Sequence, residues 1–299
     1  MHQQDVSSEP TRVHISAAGC TDKGCVREQN EDTIGLFEPP DQFQVSQLGS
    51  LYLLADGAGG HAAGEIASQI AVETIADVYY HPTPSTGEIR QTQEILTHLD
   101  GPLPGLDLAV SQIQRAFLAA HARILDLAFL TPEYSGMVTT CLVAVVKDTQ
   151  ILIAHIGDSR AYLIHPSSEL FPSLTQLTSD HSMAAAMVQA GILSIQQAQR
   201  SPTRHIVLRA LGNGGQTYVG PDITTCKAHI GDSLLLCCDG LWSMLSDELI
   251  VSVVARNTPQ AACNELIRLA NGAGGEDNIS AVVLSFTEDT RKLKRRRGH

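Results

Sequence analysis

The run Leu51-Tyr52-Leu53-Leu54-Ala55 is apolar or aromatic at every position and stops at Asp56, with glycine at 57, 59 and 60. Five such residues without alternation predict a strand buried on both faces. The glycines predict a loop whose backbone can approach a ligand closely. Beyond them Ile66, Ile70 and Val78 recur in multiples of four, which predicts a helix carrying them on one face. A carboxylate therefore stands at the tip of a core strand. The pattern returns where the apolar run Ser233–Cys238 ends at Asp239-Gly240. Asp277 stands just before the apolar strand Ile279–Phe286, and Asp158 lies in the tight turn between the strands Gln150–Ile156 and Arg160–Ile164. A turn aspartate can simply bond its own backbone, which accounts for one of these positions but poorly for four at similar strand ends. Gathered at one rim they would repel one another. Hard divalent cations would relieve that repulsion, and an all-oxygen ligand set points to Mg²⁺ or Mn²⁺.

A second possibility is carried by the same loop. Gly57-x-Gly59-x-x-Ala62 fits a relaxed dinucleotide fingerprint, with Asp77 at about the right distance downstream. It would make the chain a dinucleotide-dependent oxidoreductase built on a parallel βαβ unit. Two features oppose it: Asp77 falls inside the helical pattern, and Asp56 would turn its charge on the pyrophosphate.

The 299 residues are 43% hydrophobic, enough for a sizeable core, and carry a net charge of −12, which argues against nucleic acid as a partner. Six of the 20 basic residues lie in Arg291–Arg297, leaving 14 against 32 acidic residues elsewhere. The seven cysteines (20, 25, 141, 226, 237, 238 and 263) are an odd set, several within apolar patterns. They suit reduced core thiols in the cytoplasm. Cys20 and Cys25 have no second pair to complete a zinc site. The segment around Ala17-Ala18-Gly19-Cys20 has no apolar stretch before it that would make it a lipoprotein signal. No run reaches the length of a transmembrane segment.

In chain order, residues 1–12 are polar and expected to be flexible. Strands are expected at Val13–Cys20 and Thr33–Phe37, separated by a polar loop. The proline-containing stretch 81–105 reads as an insertion with a short helix at 88–99. Val110, Ile113, Phe117, Ala120, Ile124 and Leu127 keep helical spacing. Thr139–Val146 reads as a strand. Ser179 or Asp180 is expected to cap a helix running through Val188 to Gly191, with 191–205 irregular. Ser246 opens one further helix, and Thr258-Pro259 another that closes at Asn271-Gly272.

Placed in order, the motifs Arg27-x-x-Asn30-Glu31-Asp32, Ala55-Asp56-Gly57-x-Gly59-Gly60-His61, Gly136-Met137-x-Thr139-Thr140, Ile156-Gly157-Asp158-Ser159-Arg160, Thr178-x-Asp180-His181-Ser182, Arg209-Ala210-Leu211-Gly212, Leu236-x-x-Asp239-Gly240-Leu241 and Asp277-Asn278 resemble those of the metal-dependent serine/threonine protein phosphatases of the protein phosphatase 2C type, bacterial branch. The likeness runs over about residues 14–286. It implies an α+β fold, a four-layer α-β-β-α sandwich of two antiparallel sheets with outer helices. It implies one catalytic domain over 13–287, a flap at 182–205 and a basic tail at 288–299. It further implies two tightly bound Mn²⁺ or Mg²⁺ ions, with a third, weaker one possible. Asp56 would bridge the two, Asp239 and Asp277 would hold the first, and the Gly57 carbonyl with the Glu31–Asp32 pair would serve the second, directly or through water. Asp158 would share a third with Asp239. Arg27 would bind phosphate, and Asn278 would lie near the site. The implied reaction is hydrolysis of phosphoserine and phosphothreonine monoesters by a water bridging the cations, the substrates being phosphorylated proteins made by a serine/threonine kinase. A non-catalytic phosphoprotein-binding module on the same fold is the alternative, and it would need a lost ligand.

Two positions depart from the family pattern. Ala58 stands where bacterial members usually carry Met and animal members a histidine proposed as general acid, which leaves that role to His61 or to a metal-bound water. Val138 replaces a usual glycine.

Overall fold

The computed structural model describes residues 13–39, 47–59, 63–81, 96–98, 103–168, 171–215 and 217–289. The N-terminal 1–12, His61, most of the 81–105 insertion and the basic run after 289 lie outside the described residues. Strands β1 (Val13–Asp22), β12 (Ile279–Glu288), β11 (Ser233–Cys237), β8 (Arg160–Ser168) and β9 (Phe171–Gln176) form a five-stranded sheet in that order. The second sheet runs β2 (Asp32–Phe37), β3 (Ser50–Ala58), β6 (Cys141–Lys147), β7 (Gln150–Ile156), β10 (Asp222–Lys227) and β4 (Leu96–His98), with β5 (Val138–Thr139) pairing on the end of β3. Every pairing is antiparallel except that of β4 with β10.

Why β3 lacks alternation is evident from its two faces. Leu51, Leu53 and Ala55 pack under α1 (Ala63–Tyr80) and α2 (Asp107–Leu130). Tyr52, between them, joins Leu142, Ala144, Ile153, Leu234, Leu236 and Phe286 in the layer between the sheets. On the far side, Leu235, Cys237 and Val283 pack under α6 (Asp247–Arg256) and α7 (Pro259–Gly272). Four layers result, as the motifs imply. Each fully buried large apolar side chain contributes about 1.5–3 kcal/mol, so three apolar layers in contact hold the sandwich without disulfides; all seven cysteines are free.

Several expectations need correction. The deep face of α1 is Ala67, Ala71, Ile75 and Tyr79; Ile66, Ile70 and Val78 are only partly buried at its side. Of the expected helix at 88–99, the described part is strand β4, because the free edge of β10 offers it backbone partners. Ser182, not Ser179 or Asp180, caps α3 (Met183–Gln189), its hydroxyl accepting from Ala185 N–H. Segment 191–205 is not irregular: it holds α4 (Ile195–Gln199), closed by a capping box from Ser194 and Gln197, and a 3₁₀ turn at Pro202–His205. Strands β9 and β10 went unread because they are polar edge-side strands recruited by pairing with β8 and β7. Finally, β3 is antiparallel to both its neighbours, so the loop after it is not part of a parallel βαβ unit and the dinucleotide alternative fails.

Candidate active site

The four acid-tipped positions converge at one end of the sandwich. Asp32 and Asp56 are register partners across β2 and β3. Asp158 sits in the β7–β8 turn, where the chain crosses from one sheet to the other. Asp239 opens the short helix α5 (Asp239–Trp242) directly after β11, and Asp277 lies just ahead of β12. With Arg27, Glu31, Gly57, Ala58, Val138, Thr140 and His205, the carboxylates of Asp56, Asp158, Asp239 and Asp277 line a cavity of about 480 Å³, while Asp32, expected as a ligand, is buried behind it with Oδ2 accepting from the Ser280 hydroxyl.

Backbone contacts fix this geometry. Asp56 N–H donates to Thr140 Oγ1 at 3.2 Å, while Thr140 N–H and the Thr139 hydroxyl both donate to the Asp56 carbonyl, at 2.8 and 2.9 Å. A Cβ at Gly57 would run into the Gly64 and Glu31 carbonyls, so only glycine lets the start of α1 close against the β3 tip. Gly157, at φ 113°, gives the Asp158 turn a backbone that other residues rarely adopt. Trp242 Nε1–H donates to the Asp158 carbonyl at 3.0 Å, and the Arg160 guanidinium lies 3.7 Å from the Trp242 ring centroid while gripping Asp180 with two bonds of 2.7 and 2.9 Å. Ser159 is buried with its hydroxyl 3.1 Å from that of Thr140, so it supplies no nucleophile to the cavity.

Arg27 Nη2 donates to Asp277 Oδ2 at 2.7 Å and remains half exposed, its free nitrogens available to the cavity. Asn278, expected near the site, holds the loop instead: its Oδ1 accepts from Glu31 N–H at 2.8 Å, and its Nδ2 donates to the Lys23 and Gln29 carbonyls at 3.0 and 2.8 Å. It orients Arg27 and Glu31 rather than facing the cavity.

The electrostatics call for cations. Burial first, then the charges of Asp32, Asp239, Asp158 and Asp277, push the Asp56 carboxyl well above the usual carboxylate range. Burial likewise raises Asp32, with Asp239 and Asp277 adding to it against hydrogen bonds from Ser280 and Cys238. Asp158 is raised by burial and then by Asp239 and Asp180. Asp277 is raised by burial and by Asp239 against the pull of Arg27. Glu31 is raised mainly by burial. Asp32 Oδ1 and Asp158 Oδ2 are buried with no hydrogen-bond partner. Carboxylates crowded this closely, two of them with orphaned oxygens, suit a hard divalent cation. Neither Cys20 nor Cys25 joins a cluster able to hold a metal among the described residues.

Sequence reasoning missed His205. The 3₁₀ turn brings it to the cavity, with Nδ1 3.3 Å from Asp239 Oδ2. Its place at the end of segment 182–205 is the signal that pointed there. Also missed was the network beneath the β7–β8 turn, where Gly157 N–H donates to His181 Nδ1 at 3.0 Å and Arg209 Nη1–H donates to Asp222 at 2.7 Å. Although burial raises it, hydrogen bonds from His181 and Arg209 hold the Asp222 carboxyl at about 2.

Comparison with known proteins agrees with this geometry. A family model described as protein phosphatase 2C matches residues 29–269. A serine/threonine phosphatase named stp from Listeria innocua is 32% identical over 265 residues, covering 88% of this chain and 93% of the relative. A crystal structure of the Mycobacterium tuberculosis serine/threonine phosphatase PstP/Ppp superposes with a TM-score of 0.72 at 30% identity, covering 92% of this chain and 99% of the other. A structure of the catalytic domain of PstP in complex with two manganese ions superposes with a TM-score of 0.69 at 28% identity, covering 92% and 100%.

Proposed function

The chain belongs to the protein phosphatase 2C family, and from that premise we propose how its own residues carry out metal-dependent hydrolysis of phosphoserine and phosphothreonine. It is a serine/threonine protein phosphatase that uses Mn²⁺ or Mg²⁺. The observation that carries the assignment of roles is the meeting of Asp56, Asp158, Asp239 and Asp277 in one cavity beside Arg27. Asp56, the most deeply flanked by other carboxylates, would face both cations. Asp239 and Asp277 would complete one site, and the Gly57 carbonyl with Glu31 and Asp32 the other. Such a pair of ions supplies an activated water at neutral pH and positive charge for the phosphoryl oxygens. Arg27, steadied by Asp277, offers planar donors to the same oxygens. With every expected ligand present in the sequence, the non-catalytic alternative has no missing group to rest on.

We assign the substrates to proteins phosphorylated by a serine/threonine kinase. Among the described residues no helix is long and apolar enough to cross a membrane, and we place the enzyme in the cytoplasm on the strength of its reduced thiols. One catalytic domain spanning 13–287 is the organisation proposed. Release of inorganic phosphate from a phosphothreonine peptide with Mn²⁺, and none after EDTA treatment, is the expected result. Activity that survives full chelation overturns the mechanism.

Arg27→Ala is expected to raise KM more than it lowers kcat, since substrate and transition state both carry the phosphate charge. Steady-state kinetics on the peptide decide this, and an unchanged KM would assign Arg27 to loop structure. Asp158→Asn separates a turn residue from a ligand. The amide keeps a turn hydrogen bond, but the orphaned Oδ2 loses its charge. The variant is expected to melt near wild type, to bind one Mn²⁺ fewer by calorimetry, and to lose most activity on phosphopeptides. Unchanged stoichiometry with an unchanged rate would return Asp158 to the turn.

A further inference from the structure

One group at the site is not a hard ligand. Cys238 follows β11 and is fully buried. Its Sγ and carboxylate oxygens of Asp32 and Asp56 all lie within 4.8 Å of one another. Ser280 N–H donates to Sγ at 3.1 Å, and the thiol donates to the Asn278 carbonyl at 3.3 Å. Asp32, only 7% exposed, brings to this cluster the Oδ1 that has no hydrogen-bond partner. We propose that Cys238, Asp32 and Asp56 form a mixed sulfur–oxygen site that takes a thiophilic divalent cation, Zn²⁺ in the first instance, through the Cys238 thiolate.

The donor chemistry supports this choice. Mn²⁺ and Mg²⁺ gain little from sulfur, whereas Zn²⁺ is borderline-soft and binds thiolate and carboxylate together. Bond lengths of about 2.3 Å to sulfur and about 2.0–2.2 Å to oxygen put neighbouring donors of a tetrahedral site about 3.5 Å apart. The three groups, all within 4.8 Å of one another, would reach that spacing by side-chain adjustment. On binding, the S–H bond breaks, its proton goes to solvent, and the sulfur keeps the electron pair it gives to the cation; nothing is oxidised or reduced. The inference rests on the proposed assignment of Asp32 and Asp56 to the hard cations, because it makes Zn²⁺ a competitor for those same oxygens.

The test uses the full chain stripped of metal and titrated with Co²⁺ as a spectroscopic stand-in for Zn²⁺. Wild type is expected to develop a near-ultraviolet sulfur-to-cobalt charge-transfer band that Zn²⁺ bleaches. Cys238→Ser, close in shape, is expected to lack the band and to bind Zn²⁺ at least about tenfold more weakly, with a smaller change for Mn²⁺. Cys25→Ser, which removes an exposed thiol, is expected to keep the band. Cys238→Ala, checked for its melting temperature, serves if the serine variant misfolds. Bound Co²⁺ without a sulfur band, or a band surviving in Cys238→Ser, overturns the thiolate site. If Mn²⁺ binds normally in that experiment, the phosphatase assignment stands regardless; if neither Mn²⁺ nor Co²⁺ binds, both fail.

Discussion

Asp239→Asn is expected to lower turnover of a phosphothreonine peptide by about 10²-fold or more, because charge stabilisation by a metal centre is worth several kcal/mol. Asp56→Ala is expected to do at least as much, and EDTA to do the same to wild type. The folded state supplies a control. Asp239 is one source of the repulsion that raises Asp32, Asp56, Asp158 and Asp277. Removing its charge from the chelated protein should therefore leave the melting temperature unchanged or raise it, while shrinking the increase that Mn²⁺ produces. Loss of activity together with a large fall in stability of the chelated variant would mean that Asp239 acts through the fold.

The second large effect is on stability as a function of pH. In the metal-free protein Asp32 is pushed up to about 7 and Asp158 to about 8, chiefly by burial. In the unfolded chain both fall near 3.9. The folded state thus binds more protons than the unfolded one between these limits, so stability is greatest with the carboxyls protonated and falls as pH rises. His155, lowered to about 4 by burial and then by His181, works in the opposite sense, but mostly below pH 6.5, the ordinary histidine value. The clean window is therefore pH 6.5 to 8. Over it the chelated protein is expected to lose on the order of 2 kcal/mol, or about 3 °C in melting temperature. His205, raised by its hydrogen bond to Asp239, adds to the same slope. Mn²⁺ should flatten or invert it, because the cation favours the ionised carboxylates. Asp158→Asn should remove a large part of the slope. A chelated wild type whose melting temperature is level or rising across this window would refute the crowding of carboxylates.

The strand-end aspartates were legible because the sequence states them locally: an apolar run, then Asp, then Gly, at 51–57 and 233–240. That local signal also predicted the cation. Arg27, Glu31 and Asp32 sit in a polar loop without periodicity, and only the resemblance singled them out. What holds that loop is Asn278, some 250 residues away in sequence. Likewise, His205 reaches Asp239, and Trp242 reaches Asp158, across 34 and 84 positions. No window of sequence contains such pairs. The missed strands β9 and β10 failed for the converse reason: Phe171–Gln176 and Asp222–Lys227 are too polar to announce burial, and pairing with β8 and β7 decides their form. The stripe Ile66, Ile70, Val78 marks one side of α1, but its deepest face is Ala67, Ala71, Ile75 and Tyr79, whose two alanines a search for large apolar residues passes over.

The seam at which the site lies has a further consequence. Asp32 and Asp56 belong to one sheet, Asp239 and Asp277 to the ends of strands in the other, and Asp158 to the turn that joins them. The spacing of the ligands is therefore the gauge of the sandwich, set by side chains such as Tyr52, Leu142 and Leu236 that lie between the sheets. A chain of this design can retune its preference among cations of different radius without altering one ligand, by exchanging a methylene in the layer that separates them.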